Sequence, residues 1–304
     1  MRDYIIMTDS CCDLNQQEVE ELGLTVLPLS FTIEGKTLLN TPDHADMTPE
    51  EFFAKIAAGE SCTTAAVNVG QFTDAMGEAL DAGKDILCIC FSSALSTTYQ
   101  SACIAANDLR AEHPEAKIIV IDSLCASRGQ GMLLYRTVRE RREKGLDIEA
   151  LADYVRSIIQ SQCHWFIVDD LNHLKRGGRV SAAAALAGTV LGIKPVMHTD
   201  SEGRLTPVSK ARGTKAALLL GAKDAFACDI DDKCVGVAYE NAALNGIGKE
   251  HYTVRAGDVL SDRGLQKEFG GDYDVIVANI VADVIIALAP QVGRLLKKGG
   301  MFLC

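Results

Sequence analysis

Three loops concentrate hydroxyls and carboxylates in this chain: Thr8-Asp9-Ser10, the run Phe91 to Thr98 with its serines Ser92, Ser93 and Ser96, and Asp122-Ser123. Each follows a short apolar run, where a strand gives way to a loop. Hydroxyls suit an anion that must be held without a full counter-charge, and a hydrogen bond to an ionised group contributes about 1.5–3 kcal/mol. Backbone N–H groups at a helix start add to such a site, because the helix dipole favours negative charge there. The pattern predicts that start at Thr97. Asp9 and Asp122 have the chemistry for acid–base work, yet carboxylates at strand ends commonly close turns, and we read both as structural. A single Ser-Ser or Thr-Thr is likewise read first as a capping element.

Other chemistries are excluded by spacing. The six histidines (His44, His113, His164, His173, His198, His251) show no H-E-x-x-H pattern, and the 11 cysteines include no C-x-x-C, so we expect no metal site. There is no G-x-x-x-x-G-K-[ST] loop and no G-x-G-x-x-G after a strand, so no nucleotide site is expected. A net charge of -11 argues against a general nucleic-acid or anionic-membrane binder. No apolar run reaches the roughly 18–20 residues of a membrane helix. The start Met1-Arg2-Asp3-Tyr4 leads straight into a strand-like stretch. We expect a cytoplasmic chain with reduced thiols.

The elements that must position the loops follow from periodicity. Tyr4 to Thr8, Asp85 to Phe91 and Lys117 to Ile121 are apolar runs rich in β-branched residues, each followed by a polar loop and a helical pattern, as in buried parallel strands. In a doubly wound sheet ligands sit at the carboxyl ends of the strands, which is where the three loops fall. Thr25 to Thr32 reads as one strand. Thr48-Pro49-Glu50-Glu51 is a capping box with proline at the first helical position, predicting a helix from Pro49 to about Ala58. Helices are expected around Met132 to Lys144 and Ile148 to Ile159, then a strand from Cys163 to Val168. Ile193 to His198 and Leu205 to Ser209 flank Asp200-Ser201-Glu202-Gly203, which reads as a hairpin. Ala225 to Asp229, Tyr252 to Ala256, Asp274 to Ala278 and Met301 to Leu303 alternate with helices.

Several segments in order resemble the DegV family of fatty-acid-binding proteins: Thr8 to Leu14, Thr63-Thr64-Ala65-Ala66, Ser92 to Ala102, and Asp169-Asp170-Leu171 through Gly177-Gly178-Arg179. Ile193-Lys194-Pro195 and Lys210-Ala211-Arg212-Gly213 extend the resemblance over roughly the first 217 residues. Their joint occurrence outweighs the bland reading of each piece. The resemblance implies two lobes enclosing one long-chain fatty acid, its carboxylate held by Thr64, Ser93 and Ser96. It also implies a separate fatty acid kinase that phosphorylates the presented carboxylate, with Arg179 and Arg212 on the phosphotransfer face. The acyl tail would supply most of the affinity at about 0.8 kcal/mol per buried methylene. Two departures stand out. The family commonly has Thr-Ser-Gln-Pro where this chain has Thr64-Ala65-Ala66-Val67, with Asn68 a candidate replacement donor, and glycine is usual where Thr97 stands.

From Leu219 the text changes. The acidic strand end at Asp229, then Asp258, then Asn279 in Asp274-Val-Ile-Val-Ala-Asn279, resembles the methyltransferase family that modifies a large-subunit ribosomal protein using S-adenosylmethionine. That resemblance places Asp229 at the ribose hydroxyls, Asp258 near adenine and Asn279 at the reaction centre. The glycine-rich turn should lie just before Leu219, and Lys210 to Ala217 cannot supply it, so retained methyl transfer is not expected. The expected architecture is α/β: a doubly wound, mainly parallel first lobe over 1–150, an incomplete second α/β lobe over 151–217, and a partial Rossmann-like methyltransferase fragment over 218–304. The leading reading is a lipid-binding protein rather than an enzyme. The alternatives are an S-adenosylmethionine-dependent methyltransferase fragment and a chimeric chain whose first lobe folds without activity.

Overall fold

The computed structural model describes residues 2–162, 165–168, 171–180, 193–212, 224–229, 231–244, 248–277 and 292–303. Two compact units emerge, one comprising Met1–Thr189 with Val196–Ser209 and the other Val190–Pro195 with Lys210–Cys304.

The first unit is built on strands β1 (Tyr4–Asp9), β2 (Leu24–Leu27), β6 (Asp85–Cys90) and β7 (Ile118–Asp122), in the order β2-β1-β6-β7 with every neighbouring pair parallel. The chain therefore winds one way from β1 and the other way from β6, so the topological switch point lies between these two strands. All six residues of β6 are buried. Leu87 and Ile89 face one core with Leu133, Leu134 and Val138 of helix α5 (Arg128–Lys144) and Leu151 and Val155 of α6 (Ile148–Ile159). Ile86, Cys88 and Cys90 face the other, with Phe72 and Met76 of α3 (Val69–Asp81) and Ala102, Ala105 and Ala106 of α4 (Thr98–Glu112). The period-2 alternation thus feeds two helical layers, and each fully buried large apolar side chain contributes about 1.5–3 kcal/mol.

Pro28 divides the single strand expected from Thr25 to Thr32. Without an N–H it cannot continue a ladder. The chain leaves the parallel sheet after β2 and enters a small antiparallel sheet, β4-β3-β5, of β3 (Ser30–Ile33), β4 (Lys36–Leu39) and β5 (Cys62–Ala65). Helix α2 (Pro49–Ala57) carries the expected capping box, with Thr48 and Glu51 bonded reciprocally, and packs through Phe52 edge-on to Phe31 at 5.5 Å.

The first unit also holds β8 (Trp165–Ile167), helix α7 (Leu171–Arg176) and the larger part of β9 (Ile193–Thr199) and of β10 (Leu205–Arg212), in a sheet of order β10-β9-β8. Leu171, Val180 and Met197 form its small core. The turn joining β9 to β10 is closed by the Asp200 N–H to the Arg204 carbonyl at 2.9 Å and the Gly203 N–H to the Asp200 carbonyl at 3.0 Å.

In the second unit β11 (Ala225–Asp229) pairs in parallel with β12 (Tyr252–Ala256), covered by the helix Lys233–Leu244 through Ala242, Tyr252 and Val254. Strand β13 (Tyr273–Val277) pairs in parallel with β14 (Leu296–Leu303).

Candidate functional site

At the switch point the strand ends are stapled crosswise. Asp9, ending β1, is fully buried; its Oδ2 accepts the Phe91 N–H at 2.8 Å and its Oδ1 the Cys11 N–H at 3.1 Å. Burial pushes its carboxyl above the ordinary aspartate value, opposed by those N–H donors and by Gln130. Thr8 Oγ1 donates to the Ile89 carbonyl at 2.7 Å across the same gap. Asp122, ending β7, accepts the Ser93 and Leu124 N–H groups, both at 3.1 Å. Both carboxylates therefore close loops.

These staples shape the loop after β6. The Ser92 N–H donates to the Cys125 carbonyl at 3.1 Å, and the Ser92 carbonyl accepts the Leu95 and Ser96 N–H groups at 3.0 and 3.2 Å. The buried Ser92 hydroxyl donates to the Gly203 carbonyl at 2.8 Å and accepts the Ala94 N–H at 3.3 Å. Every polar group of Ser92 is thereby used. Gly203 has φ of 77°, and a methyl group on it would collide with Ser92 Oγ and stand 3.1 Å from the Leu124 Cα. Leu124 itself adopts a φ of 51°, a left-handed conformation that non-glycine residues seldom hold. The β9–β10 turn is thus seated on the ends of β6 and β7.

Ser93 is exposed and lines a cleft of about 750 Å³ together with Leu95, Arg179, Arg204, Leu205 and Pro207, among others. Arg179 donates from Nε to the Leu95 carbonyl at 3.2 Å and from a terminal nitrogen to the Gly177 carbonyl. Arg204 is paired with Glu202 at the rim. The cleft offers a hydroxyl, a guanidinium and apolar walls in one place, a set suited to an anionic head on a hydrocarbon body.

Ser96 plays a different part. It is half-buried, accepts the Thr98 N–H at 3.2 Å and lies 2.9 Å from Thr98 Oγ1, so it caps the first turn of α4. The helix begins at Thr98, one residue past the expected start; Thr97 flanks it with φ of -82°, ordinary for any L-residue, so the threonine in place of glycine brings no strain.

Thr64 is exposed on β5, opposite Phe31 and hence on the face that α2 covers. Its neighbour Ala65 pairs with Ser30, and the preceding Leu29 N–H bonds Ser10 Oγ at 3.1 Å at the end of β1. This carries β5 to the carboxyl edge of the parallel sheet, although Thr64 does not line the Ser93 cleft. Asn68, the candidate replacement donor, has its Oδ1 committed to the Gln71 N–H at 3.0 Å in the capping box of α3.

Arg212 is the last residue of β10 and falls in the second unit. There Asp229 and Asp258 come together at the ends of adjacent parallel strands, with the Gly257 N–H on the Asp229 carbonyl at 2.8 Å. Asp229 Oδ1 accepts the Asp231 N–H at 3.1 Å, and Asp231 in turn the Lys233 N–H at 3.0 Å, a relay leading into the helix. Asp258 is held below the usual carboxylate range by the Ser261 hydroxyl and the Leu260 N–H, at 2.7 and 2.9 Å. Asn279 lies outside the described residues. Among the described residues no His, Cys, Asp and Glu cluster could hold a metal ion, and no helix is long and apolar enough to cross a membrane.

Comparison with known proteins settles the ancestry of this arrangement. The model of the DegV family of uncharacterised proteins matches residues 4–225. The chain belongs to the DegV family. A DegV domain-containing protein of Lactococcus lactis is 40% identical over 215 residues, 71% of this chain and 74% of that one. Among solved structures, a fatty-acid-binding DegV family protein of Thermus thermophilus matches at 30% identity over 84% of this chain and 92% of that chain, with a TM-score of 0.61. A stearic-acid-binding protein of Eubacterium ventriosum matches at 26% identity over 80% and 78%, with a TM-score of 0.63. A second model, of the ribosomal protein L11 methyltransferase, matches residues 214–304. The two matches overlap over 214–225, so a DegV sequence runs into a methyltransferase-like fragment where the sequence changes character.

Proposed function

We propose that this chain binds a long-chain fatty acid, gripping the carboxylate at the Ser93 loop and presenting it to a separate fatty acid kinase. The observation that carries the reading is the convergence on one cleft of the exposed Ser93, the loop leading into α4, and the Arg179 guanidinium anchored on the Leu95 carbonyl. Supporting it, the Thermus and Eubacterium relatives are fatty-acid-binding proteins of the same fold. Ser93 and Arg179 hold the head, and Ser96 acts by fixing the start of α4. Arg179 then neutralises charge as the carboxylate becomes an acyl phosphate. The kinase supplies ATP, and the chain itself supplies position. We assign the protein to the cytoplasm, in keeping with the free thiols of its nine described cysteines.

Mass spectrometry under native conditions tests this directly. One co-purified or added palmitate per chain is expected, and protein that neither carries a fatty acid nor takes up palmitate refutes the proposal.

A second reading has one observation in its favour: Asp229 and Asp258 sit side by side at parallel strand ends, in the segment matched by the methyltransferase model. Both carboxylates are engaged by local turns, and we propose that methyl transfer is not retained. Calorimetry with S-adenosylmethionine is expected to give no heat; binding that disappears in Asp229→Ala would reverse that conclusion.

A further inference from the structure

The two rims of the Ser93 cleft come from distant parts of the chain. One is the loop Ser93 to Leu95; the other is the hairpin from Glu202 to Pro207. They are joined by the buried hydrogen bond from Ser92 Oγ to the Gly203 carbonyl, which spans 111 positions of sequence. We propose that Ser92 is a positioning residue whose bond to Gly203 latches the β9–β10 hairpin onto the carboxylate-binding loop, so that filling the loop and docking the hairpin reinforce each other. This rests on the fatty-acid reading above.

The argument is one of shared rigid parts. The Ser92 carbonyl accepts the Leu95 and Ser96 N–H groups, and Ser96 in turn accepts the Thr98 N–H, so the orientation of Ser92 sets the loop and the first turn of α4. The same residue holds the hairpin through its side chain. A carboxylate that orders the Ser93 loop removes freedom the hairpin would otherwise have to remove, and the reverse holds equally; coupling between two sites is reciprocal. Glycine at 203 is what permits the approach, since a side chain there would strike Ser92 Oγ.

The amides of Asp200, Glu202, Gly203 and Arg204 are all hydrogen-bonded within the turn, which makes them reporters of its docking. Hydrogen exchange on the full chain, with and without palmitate, is expected to show exchange at 200–204 slowed about tenfold by the lipid. In Ser92→Ala, palmitate affinity falls about tenfold and the lipid no longer changes exchange at the turn. A merely structural serine would lower the melting temperature equally in empty and loaded protein and leave the lipid-dependent protection intact, and that result overturns the proposal. So does a wild-type chain that binds palmitate with no change at 200–204, a comparison that stands even if the variant does not fold. A wild-type chain that binds no palmitate removes the fatty-acid reading and the coupling with it.

Discussion

Arg179 Nε donates to the Leu95 carbonyl at 3.2 Å, which anchors a guanidinium at the cleft that Ser93 lines. One edge of the side chain is spent on the backbone, and the planar fork leaves other N–H groups for an anion. Arg179→Ala is expected to weaken palmitate binding about tenfold while leaving binding of the uncharged hexadecanol unchanged. Arg179→Lys should recover little, because an ammonium lacks the second donor edge. Titration calorimetry with the two ligands separates charge from chain, and equal losses for both would show that Arg179 acts on packing alone.

Ser93 and Ser96 differ in what their removal should do. Ser93 is exposed, so Ser93→Ala should leave stability within about 0.5 kcal/mol while costing affinity about 1.5–3 kcal/mol. Ser96 accepts the Thr98 N–H, so Ser96→Ala should cost about 1 kcal/mol of stability, as loss of a helix cap does, with a smaller effect on affinity. Denaturant unfolding and palmitate titration of the two variants side by side will distinguish the roles.

Gly203→Ala places a methyl group against Ser92 Oγ at a residue with φ of 77°. The left-handed conformation alone costs about 1–2 kcal/mol for an L-residue, and the collision adds to it. A destabilisation of at least about 2 kcal/mol is expected from the shift in denaturation midpoint. The neighbouring exposed Glu202→Ala should change little by the same measure.

The buried Asp9 gives the protein a pH dependence of known sign. Burial raises its folded pKa above the unfolded value of 3.8, and burial likewise raises that of Asp13 against the pull of Ser127 and Arg128. Between 3.8 and the raised values the folded chain holds protons that the unfolded chain has released, so this contribution to stability falls as pH rises. Asp9→Asn should flatten that part of the profile. Unfolding free energies measured across the acidic range in both proteins will show it, and identical slopes would count against Asp9 as the source.

Local rules were readable in the sequence where they act locally. The Thr48–Glu51 capping box, the buried runs that became β1, β6 and β7, and the hairpin around Asp200 to Gly203 each depend on residues a few positions apart. The expected strand from Thr25 to Thr32 divided because Pro28 outweighs the β-branched residues on either side of it. Strand β5 was hidden because Cys62-Thr63-Thr64-Ala65 is short and largely exposed, with pairing supplied by β3. At the site, Ser93 and Arg179 were nominated by resemblance to a family, and their shared cleft came from tertiary packing. Ser92 was legible as one serine of a hydroxyl-rich loop, but its bond to Gly203 was not, since the two are remote in sequence and neither residue differs locally from a common turn.

The crosswise stapling of strand ends, Asp9 to Phe91, Asp122 to Ser93 and Ser92 to Gly203, has a kinetic corollary. On the fatty-acid reading proposed above, a cleft whose hairpin rim is latched this way is expected to release its guest by lifting that rim, so residence time would be set by the protein rather than by the guest. Saturated chains of different length would then exchange with nearly the same first-order rate, however much competitor is present, and handover to the proposed kinase would require that kinase to pry the hairpin loose.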